Sequence, residues 1–174
     1  ATDKLPYLPY ANLDNYSVCG GEIGAQAKWN NGFGARFTYA YTKEQLAKDK
    51  DGNTINNQYI PAREHALNAR VDFDRQLTKT YGLNIALQGR VLSGVENVEY
   101  KDYYDVSKGT ISVEYPAYTI WKLSVVQRVG KAVKVNVALD NLFGYKPKYY
   151  YLNSPITDGI NLQIGMSIDI DKIF

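Results

Sequence analysis

From residue 160 to residue 170 every even position is apolar: Ile160, Leu162, Ile164, Met166, Ile168 and Ile170. Between them stand Asn161, Gln163, Gly165, Ser167 and Asp169. Successive side chains of a strand point to opposite faces, so this period of two predicts a strand buried on one face only. Ordinary strands run to about 5 or 6 residues; an alternation this long predicts a taller sheet.

Six more segments carry the pattern. Ile23, Ala25, Ala27 and Trp29 oppose Glu22, Gln26 and Lys28; Phe33, Ala35, Phe37, Tyr39 and Tyr41 oppose Arg36, Thr38 and Thr42. Leu67, Ala69, Val71 and Phe73 face away from Asn68, Arg70, Asp72 and Asp74, and Leu83, Ile85, Leu87 and Val91 from Asn84, Gln88 and Arg90. Trp121, Leu123 and Val125 alternate with Lys122 and Ser124, and Val133, Val135, Val137 and Leu139 with Lys134, Asn136, Ala138 and Asp140. No helical period competes, so seven antiparallel strands are expected.

The connections alternate in length. Those at 30–32, 75–80 and 129–131 are short, the first an Asn-Gly hairpin turn. Those at 43–64, 94–116 and 143–158 are long, polar and rich in Asp, Asn, Lys, Tyr and Pro. Every long loop must then leave the sheet at one end, which is the plan of a transmembrane β-barrel with short turns on one side and long loops on the other. A soluble sandwich satisfies the alternation equally well, its apolar face forming a core. Strand length, loop segregation and the aromatic positions tilt the balance to the barrel. Trp29 and Phe33 stand at a short turn, and Tyr39, Tyr41, Tyr115, Tyr118 and Tyr145 near long loops, where two interfacial girdles belong. Ordinary cross-strand pairs are the alternative for these rings.

Composition narrows function more than fold. A net charge of +2 on scattered residues points to no nucleic-acid partner. The single Cys19 forms no intrachain disulfide and reads as a small apolar filler. No apolar run reaches 18 residues, which excludes a membrane-spanning helix but not a strand, and no signal peptide is recognisable. Tyrosine is the outlier, with 16 against 5 phenylalanines. No nucleophile elbow, metal-ligand spacing or phosphate-cradling glycine loop is present, so no enzyme and no cofactor are expected. Gly20 and Gly21 precede no helix and read as a bulge or close approach.

Several ordered segments resemble TonB-dependent outer-membrane receptors. VALDNLFGYKPKYY (137–150) carries an Asn-Leu-Phe signature, Asn141, Leu142 and Phe143, after the penultimate strand; GINLQIGMSIDIDKIF (159–174) closes the chain. GGEIGAQAKW (20–29), FTYAYTKE (37–44) and PAYTIWKLSV (116–125) are similar in order and spacing. The flavour is that of Bacteroidales receptors, haem or haemoprotein receptors among them. The resemblance implies an all-β fold, an antiparallel transmembrane β-barrel segment of about seven strands from a 22-stranded barrel that encloses an N-terminal plug. Residues 1–174 are then expected to be the C-terminal part of that barrel, with the plug and the other strands on further polypeptide, since an open edge cannot be satisfied in hydrocarbon.

The resemblance implies import of haem, iron-siderophore, cobalamin or a glycan through the Gram-negative outer membrane. Its partners would be the rest of the barrel and plug, the TonB complex through the plug, the barrel-assembly machinery, outer-membrane lipid and a surface lipoprotein. Phe174 would be the aromatic assembly signal, with the lipid-facing register carried through Lys172. For ligand capture the tyrosine-rich loops suit aromatic or sugar ligands, through Tyr100, Tyr103 and Tyr104 in one and Tyr149, Tyr150 and Tyr151 in another; a girdle role is as good a reading. Arg36, Arg70, Arg90 and Lys134 are expected to face the lumen, either for acidic groups of ligand or plug or, more simply, as solvated or mutually paired charges. His65, the only histidine, suggests a haem ligand, but its place where a loop rejoins a strand favours a structural role.

Overall fold

The structure is a computed structural model that describes residues 17–45, 62–102, 104–147 and 157–172. Nine strands are found among them: β1 (Ser17–Lys28), β2 (Phe33–Gln45), β3 (His65–Gln76), β4 (Tyr81–Leu92), β5 (Val95–Tyr100), β6 (Thr110–Tyr115), β7 (Tyr118–Val129), β8 (Val133–Asp140) and β9 (Asn161–Ile168). Seven form one antiparallel sheet in the order β1-β2-β3-β4-β7-β8-β9, each beside its predecessor, and β5 and β6 form a separate hairpin. The seven are the expected ones. The hairpin is an addition, inside the connection read as a long polar loop.

The short turns lock one end of the sheet. Trp29 N–H donates to Phe33 O at 2.8 Å and Gly32 N–H to Trp29 O at 3.1 Å, closing a three-residue loop in which Gly32 has a φ of 98°. Glycine takes that left-handed backbone without a Cβ clash, and here a Cβ would also stand 2.8 Å from Asp74 O. Each turn is stitched to the next hairpin: Asp74 N–H donates to Gly32 O, Gly130 N–H to Thr80 O and Asp169 N–H to Ala132 O, at 2.8, 2.7 and 2.8 Å. At the other end stand the last residues of β2, β4 and β8 and the first residues of β3, β7 and β9.

The closing strand is shorter than its alternation. Val133 pairs with Ile168, so β8 runs out there; the last bond available is the one from Asp169, and residues 170–172 coil into a 3-10 turn. Ile170 is therefore not a strand residue, and the alternating register does not carry through Lys172. Phe174 lies outside the described residues.

Both faces of the sheet are open among the described residues. The apolar face holds Ile23 (68% exposed), Val71, Ile85, Leu162, Ile164 (71%) and Met166, and nothing packs over it. Buried apolar side chains amount to Ala86, Leu92 and Tyr115. A sandwich would sequester this face against a second sheet about 10 Å away; among the described residues no second layer lies over it. An uncovered apolar surface of this extent is what a lipid-facing wall presents.

Candidate functional site

The apolar face is banded by rings. At the turn end Phe33 packs on Phe73 with centroids 4.9 Å apart, beside Trp29. At the loop end Tyr39 and Tyr41 flank His65, centroids 6.0 and 5.2 Å from its ring. Trp121 meets Phe143 edge-on at 6.3 Å. On β2 the bands stand eight residues apart, about 27 Å of strand at ~3.4 Å per residue and about 20 Å of height after a tilt of ~40°, close to the apolar belt of an outer-membrane barrel.

His65 belongs to this outer band. Tyr39 Oη and His65 Nδ1 share a hydrogen bond of 2.7 Å, and His65 pairs in register with Tyr41. By register the imidazole shares the face of Leu67 and Val71 rather than that of Arg36 and Arg70. Tyr115, Tyr118 and Tyr145 depart from the expected girdle. Tyr118 is three residues from Trp121, hence on the opposite face, and pairs with buried Leu92; Tyr145 stacks on it at 5.3 Å, and Tyr115 is 3% exposed.

Tyr118 and Tyr145 neighbour Arg63, a residue with no signal in the alternation of the strands. Its Nη1 donates to Ser93 O and, at 2.9 Å, to Pro116 O, and its guanidinium carbon lies 4.8 Å from the Tyr118 centroid. One side chain thus joins the end of the first long loop, the β4–β5 junction and the β6–β7 junction. Burial lowers the Arg63 pKa, opposed by the neighbouring phenols of Tyr118 and Tyr145. Burial likewise raises that of Tyr145, with Arg63 pulling it down and Tyr118 pushing it up.

Asn141 of the Asn-Leu-Phe signature has a structural task. It is 3% exposed with a φ of 52°. Its Nδ2 donates to Tyr145 O, Thr157 Oγ1 and Gly159 O at 2.7, 3.0 and 3.1 Å, and its Oδ1 accepts from Tyr145 N–H at 2.8 Å. The amide ties the two feet of the last long loop together. Leu142 N–H donates to Trp121 O at 2.8 Å, which brings Phe143 against the Trp121 ring.

The polar face carries Arg36, Arg70, Arg90 and Lys134 by register. One row runs across five strands through Gln26, Arg36, Arg70, Gln88 and Lys122, and Lys122 ends it in a 3.0 Å ion pair with Asp140. Arg36 and Arg70 adjoin; Arg90 lies one row nearer the loops, opposite Asn68, and Lys134 lies near the turns, opposite Arg128. The four expected cations thus form one pair and two outliers. Gln26, Lys28, Arg36, Asn68, Arg70 and Asp72 line an open trough of about 400 Å³ over β1–β3.

Of the loop tyrosines, Tyr104 is fully exposed and Tyr100 ends β5; Tyr103, Tyr149, Tyr150 and Tyr151 lie outside the described residues. Among the described residues no His, Cys, Asp or Glu cluster suited to a metal ion is found.

The solved structure of the FrpB iron transporter from Neisseria meningitidis (F3-3 variant) is similar in fold, with a TM-score of 0.59 and 16% identity over 88% of this chain and 23% of that one. The chain therefore spans under a quarter of the length of that transporter. No curated protein sequence matches it. The sequence profile of the TonB dependent receptor-like, beta-barrel family matches residues 2–142. The two-faced sheet, its turn and loop ends and this match agree: the chain belongs to the TonB-dependent receptor β-barrel family.

Proposed function

We propose that the chain forms part of the barrel wall of an outer-membrane active transporter that binds a scarce nutrient at its loop end and imports it with energy delivered by the TonB complex. The observation that carries this reading is the division of the sheet: an uncovered apolar face bounded by aromatic rings at two heights, and a polar face with a row of charged and amide groups. Lipid satisfies the first and a wet or protein-filled lumen the second. The wall chemistry is that of a receptor rather than an enzyme.

On this reading the remaining strands and the plug complete the barrel, the barrel-assembly machinery reads the closing strand and Phe174, and a surface lipoprotein hands over cargo. Haem, iron-siderophore, cobalamin and glycan are the cargo classes; an iron-bearing one is the first to test, since the structural neighbour is an iron transporter. The tyrosines at 100, 103, 104 and 149–151 are the cargo-contacting groups of this segment, and the Bacteroidales haem receptors are the subgroup it fits.

The test uses the whole receptor in a Gram-negative outer membrane. Extraction only by detergent, heat-modifiable gel migration and iron uptake abolished by loss of the TonB complex are expected. A freely soluble protein sinks the membrane reading, and uptake that persists without the TonB complex makes the barrel a passive porin.

A further inference from the structure

The β5–β6 hairpin is a broken continuation of the β4–β7 pair. Leu92 stands opposite Tyr118 at the loop end of that pair, and Val95 stands opposite Tyr115 at the foot of the hairpin. The two ladders therefore share one register, with Ser93 and Gly94 on one side of the break and Pro116 and Ala117 on the other. Among the described residues no backbone bond crosses this gap. Ladder bonds alternate between the two sides of a strand. Ser93 N–H donates away from the gap to His65 O on β3, and Trp121 O accepts from Leu142 N–H on the far side of β7, at 2.9 and 2.8 Å. The rung due inside the gap is then Gly94–Pro116. Proline has no N–H with which to make it, and glycine offers the least resistance to a change of φ and ψ.

Arg63 takes the place of the missing rung. Its Nη1 donates to Ser93 O and to Pro116 O, one carbonyl on each side of the gap, and its guanidinium carbon lies 4.8 Å from the Tyr118 centroid. The hairpin is closed at its far end without this side chain, by Lys101 N–H on Gly109 O at 3.0 Å and Lys108 Nζ on Asp102 Oδ2 at 2.5 Å. We infer that the Gly94–Pro116 joint is a hinge on which the β5–β6 hairpin moves as one body, and that Arg63 is the pin that holds its angle. Hinges are a few element-terminal residues that absorb a change of φ and ψ, and here the ladders on both sides stay intact. The hairpin carries Tyr100 and, at its tip, the fully exposed Tyr104. That its angle sets their distance from cargo rests on the reading above; the hinge stands on the strand geometry alone.

The experiment is a distance measurement by pulsed electron resonance in the whole receptor with Cys19→Ser, between nitroxides at Lys43→Cys on β2 and Tyr104→Cys at the hairpin tip, both exposed positions. With Arg63 in place a single narrow distance is expected. Arg63→Ala is expected to lose it to a broad spread, and Pro116→Val in the same background, which restores an N–H at 116, is expected to bring the narrow distance back. Hydrogen exchange across 95–100 and 110–115 is expected to stay as slow in Arg63→Ala as in the native receptor, because the hairpin moves without unfolding. The same distances with and without Arg63 overturn the pin, and a spread that Pro116→Val leaves as broad overturns the hinge. Loss of protection in β5 and β6 overturns the motion as one body, since Arg63 would then hold the fold of the hairpin and not its angle. Detergent extraction and TonB-dependent uptake of the native receptor test the proposed function separately, so any of these failures leaves it standing.

Discussion

The indole of Trp121 lies over Gly89, its cross-strand partner on β4. A Cβ on Gly89 would stand 2.6 Å from Cε2 and nearer still to Cδ2 and Cε3, so the ring occupies the space a side chain would take. A strand glycine gains stability when an aromatic neighbour covers it. The indole Nε1–H donates to Thr119 Oγ1 at 2.6 Å, which fixes the ring in the loop-end band. Gly89→Val forces the indole off its strand, and overpacking of this kind costs about 1–3 kcal/mol. The heat-modification midpoint of the whole receptor is expected to fall. In a Trp121→Ala background the same change is expected to cost little, and equal losses in both backgrounds would refute the packing account.

Asn141 supplies a second prediction. Its amide has acceptors on both feet of the last long loop, and its backbone is left-handed. Asn141→Ala loses the side-chain bonds and strains the backbone, whereas Asn141→Gly loses the bonds alone; the left-handed penalty of about 1–2 kcal/mol separates them. Asn141→Asp places a carboxylate oxygen among three acceptors. Protease nicking of the loop in the whole receptor should rank Ala and Asp above Gly, and Gly above the native chain. Equal nicking by Ala and Gly would show that the backbone conformation contributes nothing.

These two sites show what was legible in the sequence. The alternation of β1–β4 and β7–β9 is a local property, and each strand obeys it because one face meets a single kind of surroundings. The end of β9 is not local: it stops where β8 ceases to offer partners, so the apolar Ile170 misleads. The β5–β6 hairpin escaped for the opposite reason. In Val-Glu-Asn-Val-Glu-Tyr the valines are three apart, which breaks the period, although Ile111, Val113 and Tyr115 keep it. Tyr118 could have been placed by counting from Trp121, whereas the meeting of Arg63 with Tyr118 and Pro116 depends on loops whose approach no periodicity encodes.

The placement of His65 is open to direct trial. Because its ring sits between Tyr39 and Tyr41 on the apolar face, His65→Ala is expected to leave cargo uptake by the whole receptor unchanged. Tyr39→Phe removes the 2.7 Å bond and is expected to cost about 0.5–1.5 kcal/mol of stability, the net worth of one such bond. Loss of uptake in His65→Ala with unchanged stability would put the imidazole at the ligand and overturn the outer-face assignment.

Acid should loosen the tip of the β5–β6 hairpin before it affects the sheet. Asp102 accepts from Lys108 Nζ at 2.5 Å and from Tyr104 N–H at 2.9 Å. Its pKa is lowered below 3.8, first by the Lys108 bond and then by the backbone donors. A carboxyl whose folded pKa is depressed contributes stability that is complete above its unfolded value and is lost as pH falls through the folded one. The tip is therefore expected to keep its protection at pH 6 and to lose it progressively below about pH 4, the unfolded Asp range. The pair faces solvent, its side chains 56% and 30% exposed, and is also screened by salt, so high ionic strength should mimic part of the loss. Hydrogen exchange of residues 101–109 against pH reads this directly, and Asp102→Asn should flatten the acid limb; a native profile already flat between pH 6 and 3 would remove the Asp102–Lys108 pair as the clasp.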